Sequence, residues 1–409
     1  MSANLKSVRL SCILVFALIL AAASFDVVYK YFGWTGAGLY SGLVLVTVVL
    51  AHKLLRIGIA PRFSERTIVL LAIATFAALA IIAIAFYPLA NSGRFGGGSD
   101  ADDALILAAT ELISGRYPFY PATYLGNAIA PLPGAVILAV PFVFAQLLPI
   151  QNVVWLAVFF LILRRELKST SSALALFSLV LLLSPAIAQN LVTATDRTAN
   201  AIYILAGAWM MITLVAAGDR QTWKKALAAV FFGIALSSRS NFGLIAPLIF
   251  SYLVQNAGWR TAWKYGALSA LSALLVTLPF WLFDPAGFSP LFNQSEKIRK
   301  FESLVPYATV LVPAAGLLLS AILALRSMSG SFATLWWSCA ITQIFSVFLL
   351  SMLSSLYLGE PDLYFGHVSY GVFFLFFAVM AHATRLGENG IFLDRTKAES
   401  HATSFALVS

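Results

Sequence analysis

The chain has 409 residues, of which 60% are hydrophobic and 11% charged, with a mean hydropathy of +0.89. Such a composition excludes an ordinary soluble domain. The net charge of +9 reads as topology and not as a nucleic-acid surface, because Lys and Arg collect on the cytoplasmic side of membrane spans.

Apolar runs near the roughly 20 residues a spanning helix needs recur at 8–25, 36–54, 67–89, 131–149, 172–189, 201–217, 224–238, 241–256, 264–283, 305–325, 333–356 and 363–384. They predict an all-α polytopic membrane protein of about 12 (11–13) spans in a single domain. The run 151–164 is shorter, and is expected to be re-entrant or to continue the span before it as one long tilted helix. The first run, led by Lys6 and Arg9 and followed by Ala21–Ala23, also has the look of a signal peptide, and is taken as an uncleaved span. With both termini cytoplasmic, 18 of the 26 basic residues fall inside, among them Lys53, Arg164, Arg165, Lys224 and Arg326. The C-terminal tail, 385–409, is then cytoplasmic, and 11 of the 17 acidic residues lie outside.

Between the third and fourth runs lies a polar outer loop, about 90–130. Asp100, Asp102 and Asp103 open a segment, 101–114, in which Leu105, Ile106, Ala109, Leu112 and Ile113 recur at helical spacing. That pattern predicts an amphipathic helix on the outer membrane surface. Ser99 with Asp102 fits a capping box, and carboxylates in a first turn suit the helix dipole. Three aspartates within four residues exceed what capping needs; crowded like charges raise one another's pKa, which suits a general base. Glu111 lies on the polar side. Gly115, Arg116, Tyr117, Pro118, Phe119, Tyr120 and Tyr124 follow, a turn whose rings would stack on a sugar or sit in an interfacial aromatic belt. Pro131, Pro133 and Pro141 mark the start and a kink of the next span.

The apolar stretch 224–256 is interrupted by Ser237, Ser238, Arg239, Ser240 and Asn241. An ionisable group at membrane depth is a functional candidate, and a guanidinium here matches an anionic phosphate; the alternative is an arginine reaching the interface from a helix end. Asp196 and Arg197, with Asn200 nearby, read first as a self-satisfied ion pair and second as a substrate contact. A second outer loop, 284–304, carries Asp284, Lys297, Arg299 and Lys300, either a solvated face or cations approaching lipid phosphate. His367 is a candidate proton-transfer group. Cys12 and Cys339 are far apart, and His52, His367, His382 and His401 are scattered, so neither set has metal-ligand spacing.

Taken together, the acidic loop beside a surface helix, the turn through Gly115, Pro118, Phe119 and Tyr120, the Pro-led span and the basic residue between two short spans resemble the GT-C membrane glycosyltransferases that use polyprenyl-phosphate-linked sugars. Among these they resemble the polyprenol-phosphate-mannose-dependent mannosyltransferases. Phe119 departs from the Tyr that the family often has there, with Tyr120 one position later. The resemblance implies a GT-C-like bundle and inverting transfer, on the extracytoplasmic side, from a polyprenyl-phosphate-linked donor to a glycan or glycolipid acceptor. It implies Asp103, or else Asp102 or Asp100, as general base. Arg239, assisted by Arg197, Lys297, Arg299 and Lys300, would hold the donor phosphate, and Tyr117, Phe119, Tyr120, Tyr124, Glu111, Asn241 and His367 the sugar or acceptor. No cofactor or obligatory metal is expected, the partners are membrane lipids and not nucleic acid, and a bacterial inner membrane is the expected location. The rival expectation is a transporter or flippase, or a polymerase or ligase, for lipid-linked saccharides.

Overall fold

A computed structural model describes residues 10–57, 64–92, 94, 99–216, 221–327, 330–362 and 370–388. His367 and the tail from 389 onward lie outside the described residues. Apart from an isolated bridge between Ala122 and Ala128, the described regular structure is helical.

The first element, α1 (Leu10–Ile57), is continuous in hydrogen bonding but kinked at Gly33, where φ is 64° and ψ −168°. Only glycine reaches that region without strain. Tyr40 donates from its hydroxyl to the carbonyls of Leu20 (3.5 Å) and Leu183 (2.7 Å). A straight helix would separate residues 20 apart by about 30 Å, so α1 folds back on itself at Gly33. The two apolar runs expected there are the two limbs of a helical hairpin.

Further along come α2 (Glu65–Ala90), the loop helix α3 (Ala101–Ile113), α4 (Pro133–Phe144) and α5 (Ile150–Leu167). Residues 131–164 are therefore not one long tilted helix: Gln146, at φ 56°, turns the chain between α4 and α5. At 12 residues, about 18 Å long, α4 is too short to cross a hydrocarbon core by itself. The run at 172–189 is likewise broken, into α6 (Thr170–Leu182) and α7 (Pro185–Val192) bent by 80°. Ser184 precedes Pro185, and the residue before a proline is pushed out of helical backbone. Next are α8 (Arg197–Val215), α9 (Thr222–Leu236), a 3₁₀ turn at Ser240–Ile245 and α10 (Ala246–Ala257). The chain continues with α11 (Trp259–Phe283), α12 (Ser289–Arg299), a second 3₁₀ turn at Lys300–Ser303, α13 (Ala308–Ser327), α14 (Phe332–Leu358) and α15 (Val372–Glu388). The loop 284–304 is thus itself largely helical.

Among the described residues, six helices are long and apolar enough to cross a membrane, with α1 counted once, or seven if α6 with α7 counts as one span, so the expected count of about 12 is not confirmed. The bundle is an all-α, membrane-embedded architecture. Its centre is formed by α8 and α15, both apolar around nearly their whole circumference and buried. Outside them α2 and α11 expose apolar side chains along most of their length, as helices facing acyl chains do. A buried cluster joins Leu105 of α3 to Ala135 and Ala139 of α4, Leu148 and Ala194. Gly134 lets α4 approach α9 closely: a Cβ there would lie 2.2 Å from the Ile234 carbonyl oxygen. That contact brings the start of α4 against Ser237 and Ser238, next to Arg239.

Candidate functional site

Two groups of charged residues lie on elements that pack against α4 near its start. The first is the acidic opening of α3. Asp100 is its N-cap, but its side chain makes no capping bond. Ser99 instead accepts the Ala101 N–H (3.3 Å), so the expected Ser99–Asp102 capping box does not form. Helical geometry fans the three aspartates apart, giving each its own partners. Asp100 Oδ2 accepts from the Thr123 hydroxyl (2.8 Å) and the Asn127 amide (2.7 Å). Asp103 Oδ2 accepts the Tyr124 N–H (2.8 Å). These two clip the turn around Gly126, which sits at φ 78°. Asp102 points the other way: only 4% exposed, it accepts on Oδ2 from the Tyr87 hydroxyl and the Asn91 amide, both at 2.8 Å. Its Oδ1 has no hydrogen-bond partner among the described residues.

Burial raises the pKa of Asp102, against the lowering effect of the Tyr87 hydrogen bond. This corrects the expectation from like-charge crowding, since desolvation is the dominant cause. Asp103 is half-buried, and its Oδ1 forms no hydrogen bond among the described residues. No group of three or more His, Cys, Asp or Glu side chains among the described residues converges as metal ligands would.

The aromatic turn divides into two kinds of ring. Phe119, 3% exposed, packs edge-on against Phe280 (5.7 Å) and Phe288 (5.0 Å). It is a core residue tying the two outer loops together, which corrects its expected role as a stacking surface. Tyr117 is also partly inside, its hydroxyl donating to the carbonyls of Phe280 (3.0 Å) and Asp284 (3.3 Å), and burial pushes its pKa up to about 12. Tyr120 and Tyr124 are open, at 61% and 63% exposure. Tyr120 donates to Asp284 Oδ2 (3.0 Å). The Asp284 pKa is lowered, chiefly by the Gly287 N–H and then by Tyr120. Glu111 forms an exposed pair with Arg116, 2.5 Å to Nε and 2.7 Å to Nη2, a surface contact on α3.

The second group is buried and basic. Arg239, held in extended backbone between α9 and the 3₁₀ turn, donates from Nη2 to both oxygens of Asp196, each at 2.7 Å. Asn200 donates to Asp196 Oδ2 at 2.7 Å. The adjacent pair Asp196–Arg197 expected from sequence is therefore not formed: Asp196 is turned to Arg239. Arg197 has no carboxylate partner among the described residues; its guanidinium sits 5.1 Å from the Tyr370 ring centroid. Both arginines are 7% exposed, and the Nε atoms of both lack partners. Lys297, exposed on α12, lies within electrostatic reach of Tyr370. Arg299 is exposed, and Lys300 lies over the rings of Phe301 (5.0 Å) and Tyr357 (5.8 Å), facing α14. Asn241 donates to Gln343 Oε1 (2.6 Å) and its carbonyl accepts from Gln343 Nε2 (3.1 Å), so its side chain fastens the 3₁₀ turn to α14.

The start of α4 links the elements that carry the two groups. Leu132 N–H donates to the Ser238 carbonyl (3.3 Å) and Gly134 N–H to the Ser237 carbonyl (3.1 Å), tying the start of α4 to the residues just before Arg239. Leu105, two residues past Asp103, packs in one cluster with Ala194, two before Asp196. Sequence reasoning missed what braces these groups. Asn152 on α5 donates to the carbonyls of Asn190 (2.8 Å) and Thr195 (2.9 Å) and accepts the Ala199 N–H (3.1 Å), fixing the loop that presents Asp196 and Arg197. Its signal was a Gln-Asn pair opening an apolar run. Tyr87 and Asn91 gave none, because their partner is a different element.

No family model matches the chain, and no curated protein and no solved structure is detectably similar to it.

Proposed function

We propose that this protein is a GT-C-type membrane glycosyltransferase that moves a sugar from a polyprenyl-phosphate-linked donor to a glycan or glycolipid acceptor, with inversion, on the extracytoplasmic side. The observation that carries the reading is the junction of an acidic loop helix with a buried basic cluster at the start of α4. In an in-line displacement, Asp103 takes the proton of the acceptor hydroxyl while that oxygen attacks the anomeric carbon. Its partial exposure and unbonded Oδ1 favour it over Asp102, which is enclosed, and Asp100, whose Oδ2 is engaged by both Thr123 and Asn127. The arginines stabilise charge growing on the departing phosphate. Tyr120 and Tyr124, the open rings, are the sugar- or acceptor-facing aromatics. No metal is required, because the cations for the leaving group are already in the chain.

The test is reconstitution with synthetic farnesyl-phosphate-linked hexoses and pentoses and a panel of glycan and glycolipid acceptors, following release of farnesyl phosphate. One donor is expected to turn over, with loss of transfer in Asp103→Asn. Activity abolished by a chelator and restored by one divalent ion would overturn metal independence. The 80° break between α6 and α7 favours a second reading, a carrier for lipid-linked saccharides, since broken helices line transport sites. Movement of labelled lipid-linked sugar across proteoliposomes without transfer to any acceptor would establish that reading instead.

A further inference from the structure

The basic cluster has a definite charge count. Among the described residues, Arg197 and Arg239 contribute two positive charges and Asp196 one negative, all three buried, leaving an excess of one positive charge. Tyr203 and Tyr370 also face the cluster, Tyr370 as a hydrogen-bond partner of Arg197; both are counted as phenols, a count that the Tyr370→Phe variant tests. Lys297 stands at the exposed rim, where solvent screens it. Asp196 is itself fixed from two sides, by Arg239 and Asn200, so it stays with Arg239, and Arg197 is the cation left without a carboxylate among the described residues. Three polar atoms of this cluster have no hydrogen-bond partner among the described residues: the Nε of each arginine and Asn200 Oδ1. Unbalanced charge is costly in a low-dielectric interior, so an anion that cancels the excess without exceeding it is bound best.

We propose that Asp196 is a specificity residue that sets the site to accept a singly charged phosphodiester and to disfavour a doubly charged phosphomonoester. This rests on the reading of the cluster as the donor-phosphate site. A lipid phosphate glycosylated on its free oxygen carries one negative charge; once the sugar has left, it is a monoester carrying nearly two at neutral pH, with a second pKa of about 6. Asp196 therefore makes the site discriminate substrate from spent carrier, and promotes release of the latter.

The experiment is calorimetric titration of the full-length protein in a neutral detergent with farnesyl methyl phosphate, the diester, and farnesyl phosphate, the monoester. At pH 8 the wild type should bind the diester on the order of tenfold more tightly, about 1.4 kcal/mol. At pH 5, where the monoester carries a single charge, that preference should disappear. Asp196→Asn raises the buried excess to two and should abolish or invert the preference, whereas Arg197→Gln removes the excess and should weaken the diester on the order of tenfold. Tyr370→Phe should leave the preference unchanged; a shift towards the monoester there would place the balancing charge on Tyr370 and overturn the assignment to Asp196. If Asp196→Asn does not fold, the wild-type pH series decides. Equal binding of both probes at pH 8 and pH 5, with Arg197→Gln weakening both, overturns charge selection but leaves the donor-phosphate reading standing. No binding of either probe to the wild type removes that reading, and the inference with it. A short-chain phosphatidylglycerol, also a diester, identifies the source of the phosphate: weaker binding than the farnesyl diester points to a polyprenyl lipid, equal binding to membrane headgroups, and charge selection holds in both cases.

Discussion

The aspartates of α3 and the arginines behind α4 are both dense in charge, yet they handle it in opposite ways. On α3 each carboxylate is distributed to separate partners, and two of the three keep some contact with solvent. Behind α4 the charges are buried, one carboxylate is shared, and a guanidinium is left without a carboxylate among the described residues. The contrast teaches that a surface acid cluster is inexpensive to hold and hence a poor marker of function by itself. A buried charge imbalance costs several kcal/mol unless a ligand or solvent answers it, and so is the more informative of the two.

The largest expected effect breaks the buried side. Arg239→Leu strands Asp196 without its cation and should destabilise the protein by about 3–5 kcal/mol, read as a large fall in thermal unfolding temperature in detergent. A change within error would mean that Asp196 and Arg239 are effectively hydrated. Next, Asp103→Asn should lower sugar transfer by about 100-fold or more while leaving the unfolding temperature unchanged; retained transfer would move the base to Asp102 or Asp100.

Asp102 sharpens the comparison from within the acidic group, since it alone behaves like a buried charge. Its folded-state pKa is raised by burial, so the folded protein binds the proton more tightly than the unfolded chain. Its contribution is fully favourable below the unfolded pKa of about 3.9 and is lost as pH rises through the folded value. Asp102→Asn should therefore flatten the part of the stability profile that falls with rising pH above about 4; a profile identical to wild type would show that Asp102 is solvated. The smallest effect is expected at the exposed pair: Arg116→Ala, which frees Glu111, should leave the unfolding temperature unchanged at moderate salt, since solvent screens such pairs.

Membrane character and most helix positions were legible in the sequence, because a bilayer demands long apolar runs and the chain spells them out. The limits of the reading fall where short-range geometry overrides hydropathy. Ser184–Pro185 broke a predominantly apolar run, and Gln146 turned another. The loop helix was visible at 101–114 because its pattern is local, and it was found at Ala101–Ile113. Partners were not legible. The proximity of Asp196 and Arg197 in sequence suggested a pair, but adjacent helical residues point about 100° apart, and Asp196 met a guanidinium 43 positions away. Phe119 was grouped with its exposed neighbours because composition does not say which ring of a Tyr-Pro-Phe-Tyr run turns inward. Here Phe280 and Phe288 decide it.

The hairpin at Gly33 carries a consequence for biogenesis. Its limbs are joined by a turn too short to leave a loop on the far side, and Tyr40 of the second limb reaches the backbone of the first at Leu20 and of the break after α6 at Leu183. The expectation is that the first limb settles only once the second has emerged, so that the pair enters the bilayer as one unit. A residue with a side chain at position 33 should therefore show itself first as failed membrane insertion, before any loss of activity could be assayed.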